Sequence, residues 1–490
     1  MIDLEKTQTI YFIGIGGIAM SATAAIAHAR GFQVMGSDSK EFYDPAKKVV
    51  EDLKVPVYLG YSEENIKNHP ADLYVVSAGE DLKNPEVKYL EENEIPYISF
   101  PEFLYEISHK EIRLVVTGTH GKSTTSALLG YVLSKIDNSS YMVGGVLRNT
   151  GRNFYCAERS ESPMQHRGKR SPSSGRAPTT DSIAGHYFVF EGDEYKALWH
   201  DPTPKLHQYK ADALLLTNLE FDHPDVYKNL EEVKDEMRLA ISNLPDDGVL
   251  VFNADSPACV ELAYHDNRPA FGFGFSDDAV FRLLKAEQMP DGVVLTVENK
   301  LNRETPKFEM YTTSLTGEMN ALNACGAIAM LRVLGFSPEV INHYTADFTG
   351  LKRRFEVVKE DGLIVIDDYA HHPTAVKETL KAARARFPNH KIWAVFEPHT
   401  YSRTEATVKD LITSFEDADE VLFSEIYPAR ERYHEGMITT EDILKRFTHQ
   451  KIRKVANKIE AKTILHAEAM PGDVIVIMAV GNFNQLAYEI

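Results

Sequence analysis

The chain has 490 residues, 43% of them hydrophobic, and 53 Lys and Arg against 72 Asp and Glu give it a formal net charge of −19. That length calls for several hydrophobic cores, and so acidic a balance excludes binding to nucleic acid or an anionic membrane through the overall field, which needs a basic face. The three cysteines, Cys156, Cys259 and Cys325, lie far apart with neither metal-ligand nor disulfide spacing, and no apolar run approaches the ~18 residues of a membrane span, so a cytoplasmic setting is expected.

The first expected strand, Thr9-Ile10-Tyr11-Phe12-Ile13, runs into Gly14-Ile15-Gly16-Gly17-Ile18-Ala19-Met20 and an alanine-rich helix reaching about Arg30. A second strand, Gln33-Val34-Met35-Gly36, ends on Ser37-Asp38, near where a dinucleotide-binding unit places its ribose-binding acid. The glycine spacing departs from the strict dinucleotide pattern, and a turn that only needs close helix packing fits it as well. Leu73-Tyr74-Val75-Val76-Ser77 reads as another strand, Asn84-Pro85-Glu86-Val87 opens a helix, and this first unit closes near Ile107.

The most informative stretch follows. Ile112-Arg113-Leu114-Val115-Val116 is a buried-strand run that breaks into Thr117-Gly118-Thr119-His120-Gly121-Lys122-Ser123-Thr124-Thr125 and restarts as a helix with Ala127, Leu128, Tyr131 and Val132 on one stripe. Glycines let backbone N–H groups approach phosphate oxygens, and the helix points its positive end at the same anion. Lys122 adds a point charge for the β/γ-phosphates, and Ser123 offers a hydroxyl to Mg²⁺. Val116 stands where the usual phosphate-loop pattern has a further glycine.

Residues 158–186 are Ser, Pro, Gly, Arg and Lys with almost nothing apolar, and are expected to be a disordered surface loop. Tyr187-Phe188-Val189-Phe190-Glu191-Gly192-Asp193-Glu194-Tyr195 and Ala213-Leu214-Leu215-Leu216-Thr217-Asn218-Leu219-Glu220-Phe221-Asp222-His223 read as strands ending in acids. Acids at the carboxyl ends of parallel strands point into the crevice shared with the phosphate loop, which makes Glu191 and His223 metal candidates. A helix carrying Leu239, Ile241 and Leu244, strand Gly248-Val249-Leu250-Val251-Phe252-Asn253 and a hairpin-rich region to about Met310 come next. Thr316-Gly317-Glu318-Met319-Asn320-Ala321-Leu322-Asn323-Ala324 opens a long helix whose asparagines either cap its first turn or meet a nucleobase. Beyond Phe348, strands at Leu363-Ile364-Val365-Ile366-Asp367-Asp368, Ile392-Trp393-Ala394-Val395-Phe396, Glu420-Val421-Leu422-Phe423 and Asp473-Val474-Ile475-Val476-Ile477-Met478 alternate with helices. Their ends are expected to carry Asp368, His399, Arg403 and Glu431.

Taken together, these motifs resemble the Mur ligase family, ATP-dependent amide-forming ligases of peptidoglycan precursor synthesis, over nearly the whole chain. The resemblance rests on Gly14-Ile15-Gly16-Gly17, Gly118-Thr119-His120-Gly121-Lys122-Ser123-Thr124, Asn218-Leu219-Glu220-Phe221-Asp222-His223, Asn320-Ala321-Leu322-Asn323, Arg353-Arg354-Phe355 and Asp367-Asp368-Tyr369-Ala370-His371-His372-Pro373, in the family's order. It implies an α/β fold of three domains: a Rossmann-like UDP-sugar domain at 1–108, a phosphate-loop ATPase-like domain at 109–346, and a Rossmann-like amino-acid-binding domain at 347–490.

By the same resemblance, ATP is bound by Gly118, Thr119, His120, Gly121, Lys122, Ser123, Thr124, Asn320 and Asn323. Mg²⁺ is held by Ser123, Glu191 and His223, and the UDP-sugar by Gly14, Gly16, Gly17 and Asp38. Lys122, His223, Arg354 and Asp368 are the implied catalytic set, with His372, His399 and Arg403 on the incoming amino acid. The implied acceptor is UDP-N-acetylmuramate. Phe396-Glu397-Pro398-His399-Thr400-Tyr401-Ser402-Arg403-Thr404 is similar to members that add L-alanine, whereas Gly192-Asp193-Glu194-Tyr195 is similar to members that add an intact tripeptide. Because the last domain contributes to the amine's site in this family, L-alanine is expected, with the tripeptide as the alternative. A nicotinamide-dependent oxidoreductase and a non-catalytic nucleotide-binding protein are more distant readings.

Overall fold

The computed structural model describes residues 4–39, 42, 44–158, 186–222, 226–264, 268–429, 431–447, 449 and 451–490. Three sheets organise them. The first has strands β1 Thr9–Ile13, β2 Gln33–Asp38, β3 Val57–Leu59, β4 Leu73–Val76 and β5 Tyr97–Ser99 in the order β3-β2-β1-β4-β5, with every pairing parallel. Helix Ile18–Ala29 returns the chain from β1 to β2, and its alanines let it lie close on the sheet.

The second sheet comprises β6 Ile112–Thr117, β7 Ser140–Met142, β8 Phe154–Tyr155, β9 Tyr187–Glu191, β10 Ala213–Leu216, β11 Val249–Asn253, β12 Ala270–Gly274, β13 Phe281–Met289, β14 Gly292–Asn299 and β15 Lys307–Thr313. Their order is β15-β14-β13-β12-β11-β10-β6-β9-β7-β8. β6 lies between β10 and β9, parallel to both, and Leu114, Val115 and Val116 are buried. A strand buried on both faces needs such a continuous apolar run. Val115 packs on the side of Phe188 and Phe190, and Leu114 and Val116 pack under helix Lys122–Ile136. The expected hairpin region is the antiparallel meander β13-β14-β15.

The third sheet contains β16 Glu356–Lys359, β17 Ile364–Asp368, β18 Ile392–Phe396, β19 Glu420–Ser424, β20 Ile452–Val455 and β21 Val474–Met478 in the order β16-β17-β21-β18-β19-β20, with β16 alone antiparallel.

Several expectations are corrected. The strand read as running to residue 223 stops at Leu216, because Thr217, Asn218 and Glu220 turn to hydrogen-bond the phosphate loop. Leu239 lies on the outer face of helix Leu230–Ser242 at 50% exposure, with Met237 and Ile241 facing inward, and Leu244 follows the helix end. Nearly all of the expected loop at 158–186 lies outside the described residues.

The sheets are tied together at specific points. Arg30, at the C-terminal cap of helix Ile18–Ala29, makes a buried pair with Glu111 in which Nη2 donates to both carboxylate oxygens, at 2.8 and 3.0 Å. The third sheet is anchored to the second by Lys352 N–H to Val146 O and Arg148 N–H to Gly350 O, both 2.9 Å, and by Thr374 Oγ1 to Glu220 Oε2 at 2.9 Å.

Candidate active site

β6 delivers the chain to Gly118 and Gly121, whose φ angles of +126° and +83° strain any L side chain. A Cβ on Gly121 would also lie 2.1 Å from Asn323 Oδ1, and one on Gly118 would lie 2.3 Å from Thr217 Oγ1. Glycine is therefore what lets the loop fit between helix Glu318–Val333 and the segment after β10. That segment fixes the loop: Thr119 N–H donates to Asn218 O at 3.0 Å, His120 N–H to Asn218 Oδ1 at 2.8 Å, and Thr217 Oγ1 to His120 O at 2.6 Å. The first N–H groups of helix Lys122–Ile136 lack intrahelical acceptors, and Thr125 is the first to reach back, to Gly121 O at 2.9 Å.

Two acids delivered by β9 face this loop. Lys122 Nζ donates to Glu194 Oε1 and to Gly118 O, both at 2.6 Å. Burial alone would lower the ammonium's pKa, but Glu194, with Glu191 and Asp193 behind it, outweighs burial and raises it, so Lys122 is a fixed positive charge. Ser123 Oγ donates to Glu191 Oε1 at 2.8 Å, while Glu191 Oε2 accepts the Gly144 N–H at 2.6 Å. A hydroxyl and a carboxylate oxygen side by side form a hard donor set suited to Mg²⁺. His223, the third expected ligand, lies outside the described residues.

The wall opposite comes from the third sheet, and between them lies a cavity of about 350 Å³ whose lining includes Lys122, Glu194, Asn323, Arg354, Asp368 and Arg403. Asp368 closes β17 and accepts Phe355 N–H at 2.6 Å and Ala370 N–H at 2.7 Å. Its burial raises the carboxyl pKa, and Arg354 opposes the rise. Arg353 and Arg354 flank the Tyr369 ring at 4.9 and 5.2 Å. Arg353 and Phe355 are held at φ +58° and +47°, strain of the kind that persists where surrounding contacts over-determine a site. At the helix start, Asn320 Nδ2 donates to Thr316 O at 2.8 Å and Asn323 Nδ2 to Asn320 Oδ1 at 3.3 Å, so the N-cap position belongs to Gly317 instead.

Further along this wall, Arg403 of helix Tyr401–Leu411 is buried, with Nε on Asp222 Oδ1 at 3.1 Å and Nη1 3.1 Å from His399 Nδ1. His371 packs against His399 with ring centroids 5.4 Å apart, and its Nδ1 meets Tyr369 O at 2.9 Å. Burial, reinforced by Arg403, pushes the His371 pKa well below the usual imidazole value. His372, expected on the amino acid, turns the other way: its ring lies 4.7 Å from that of His120, which is 3.4 Å from Glu220. The reason is local, since His372 is the extended residue preceding the Pro373–Arg386 helix, and consecutive side chains of extended backbone point apart. Glu431, expected at a strand end, serves a helix N-terminus instead. It caps helix Tyr401–Leu411 by accepting Tyr401 N–H at 2.7 Å and Ser402 N–H at 3.2 Å.

The first sheet's glycine turn is arranged differently. Gly14 and Ile15 N–H donate to Ser37 O at 2.9 and 3.0 Å, Gly17 N–H to Gly14 O at 3.2 Å, and Gly16 N–H to Asp38 Oδ2 at 2.9 Å. Gly14, Gly16, Gly17 and Asp38 thus come together, with Asp38 as an anchor of the turn.

The site residues that sequence reasoning did not single out are Glu194, Asn218, Glu220, Asp222 and His371. All stand inside recognised motifs. Their signal was acids and amides at strand ends; which of them meets Lys122, His120 or Arg403 is set by tertiary placement.

Three family models match: "Mur ligase family, catalytic domain" over 9–111, "Mur ligase middle domain" over 116–331 and "Mur ligase, glutamate ligase domain" over 353–481. The chain is 30% identical to the UDP-N-acetylmuramate–L-alanine ligase of Desulfitobacterium hafniense (strain Y51), covering 98% of this chain and 99% of the relative. It is 31% identical to the ligase of the same name from Rickettsia felis, covering 100% and 98%. Among solved structures, the fold matches UDP-N-acetylmuramate-alanine ligase from Thermotoga maritima with a TM-score of 0.74 at 22% identity, covering 98% of this chain and 97% of the other. It matches a murein peptide ligase from Psychrobacter arcticus 273-4 with a TM-score of 0.68 at 25% identity, covering 98% of each.

Proposed function

The chain belongs to the Mur ligase family, ATP-dependent amide ligases, and from that membership we propose that it joins L-alanine to the carboxylate of UDP-N-acetylmuramate. The observation that carries this reading is a single cavity lined both by the Lys122 loop and by His399 and Arg403, so that phosphoryl donor and amine share one space. The named relatives supply the identity of the substrates.

In this reading the glycine loop and the open end of helix Lys122–Ile136 take the ATP phosphates, and Asn320 and Asn323 lie toward the adenine. Gly118 and Gly121 let the loop pack against Thr217 and Asn323, which holds it in place. The muramic carboxylate attacks the γ-phosphorus and ADP leaves, giving an acyl phosphate. The amine lone pair then attacks the acyl carbon and phosphate departs, leaving the amide. Lys122 stabilises the negative charge that gathers during transfer, and positioning does most of the rest. Ser123 and Glu191 would hold Mg²⁺ with His223, and the ion would neutralise phosphate charge when bound. Arg354 and Asp368 order the closed site from the third domain. Arg403, whose planar donor set suits a carboxylate, orients the amino acid beside His399. His371 donates Nδ1–H to Tyr369 O, which fixes its ring as a neutral imidazole beside His399 and Arg403. The glycine turn at residues 14–17 and the end of helix Ile18–Ala29 take the uridine diphosphate. No helix among the described residues is long and apolar enough to cross a membrane.

Given ATP, Mg²⁺ and UDP-N-acetylmuramate, the purified protein should release phosphate with L-alanine at least about a hundredfold faster than with L-Ala-γ-D-Glu-meso-diaminopimelate, a difference of about 2.7 kcal/mol in transition-state stabilisation. Faster release with the tripeptide would assign the chain to the recycling reaction, which the Gly192-Asp193-Glu194-Tyr195 motif favours.

A further inference from the structure

We propose that His120, Glu220 and His372 form a binding site for one divalent transition-metal ion of the zinc type, which pins the phosphate loop to the start of the Pro373–Arg386 helix. One ligand atom from each residue lies within 4.8 Å of the other two. Tetrahedral Zn²⁺ with bonds of about 2.0–2.1 Å sets its ligands about 3.4 Å apart. His120 Nε2 and Glu220 Oε2 are already 3.4 Å apart, and the pairs that include His372 lie within 4.8 Å.

Nδ1 of His372 has no hydrogen-bond partner among the described residues, and His120 Nε2 faces the Glu220 carboxylate only at the long distance of 3.4 Å. His372 is only 8% exposed, so its Nδ1 is unsatisfied inside the protein, a condition that a metal ligand would resolve. Thr374 Oγ1 donates to Glu220 Oε2 at 2.9 Å and fixes its direction. The Glu220 side chain is 41% exposed, which leaves a fourth position for water. Two imidazoles and a carboxylate favour a zinc-like ion over Mg²⁺, and so distinguish this cluster from the oxygen-only pairing of Ser123 with Glu191.

The test uses the full chain without nucleotide and Co²⁺ as a spectroscopic probe for Zn²⁺. Wild type and Glu191→Ala should each bind one equivalent with the intense ligand-field spectrum of a tetrahedral ion, and Zn²⁺ should displace it. His372→Gln and Glu220→Gln should each weaken binding at least about tenfold, and Zn²⁺ should raise the melting temperature of wild type but not of these variants. Should His372→Gln fail to fold, the more exposed Glu220→Gln carries the comparison. Unchanged Co²⁺ affinity in Glu220→Gln, or loss of the spectrum in Glu191→Ala, would overturn the proposal.

Discussion

Two strand-turn-helix units in this chain carry glycine-rich turns, and they differ in where their backbone N–H groups go and in what charge stands beside them. At residues 14–17 the turn closes on itself and on β2, and the charged group it meets is the Asp38 carboxylate. At residues 118–122 the loop is braced from outside by Thr217 and Asn218, its helix end stays open, and a buried lysine and two acids are assembled around it. The backbone motif is common to both; the chemistry differs because neighbouring strands bring different charges to it. In the proposed function, the turn given phosphoryl transfer is the one that a fixed cation and a hydroxyl–carboxylate pair face.

Apart from loss of Lys122 itself, the largest effect that sharpens this comparison is expected from Glu191→Ala. It removes an oxygen donor from the hard-cation pairing with Ser123 and should lower kcat by about 10³-fold, on the scale of losing one preorganised charge-stabilising group, with the UDP-sugar KM unchanged in steady-state assays. A matching rise in that KM would show the two turns to be one coupled site. Next in size, Arg403→Lys should raise the alanine KM about tenfold, since a point charge cannot replace both the Asp222 contact and a two-pronged grip on a carboxylate. A change confined to the ATP KM would remove Arg403 from the amine's site. The smallest effect belongs to the first turn: Asp38→Asn keeps an acceptor for Gly16 N–H and should alter the UDP-sugar KM only about two- to fivefold, as one part-buried hydrogen bond of modest net worth. Loss of ATP turnover in that variant would break the distinction between the turns.

Much of the fold was legible because periodicity and strand-end chemistry are local. The run Leu114, Val115, Val116 read as a buried strand and the glycines after it as a turn, and the structure has both. Boundaries set by distant partners were not legible. β10 stops at Leu216 because the residues that follow satisfy the phosphate loop, and Leu239 faces solvent because Met237 and Ile241 take the inner face of their helix. At the site, Lys122 and Ser123 could be read from spacing, whereas the pairing of Lys122 with Glu194 and of Arg403 with Asp222 joins segments far apart in sequence. Nor did the sequence separate His371 from His372, whose opposite directions follow from the extended backbone before Pro373.

The central claim is that Lys122 supplies the positive charge for phosphoryl transfer in a site separate from the UDP-sugar turn. Lys122→Ala tests it most directly, with two readouts on one protein: calorimetric titration with UDP-N-acetylmuramate, and ATP-dependent phosphate release in the presence of L-alanine. The account predicts UDP-sugar affinity within about twofold of wild type, which also shows the variant to be folded, and turnover reduced by at least about 10³-fold. Retained turnover in a variant that still binds the UDP-sugar would contradict it.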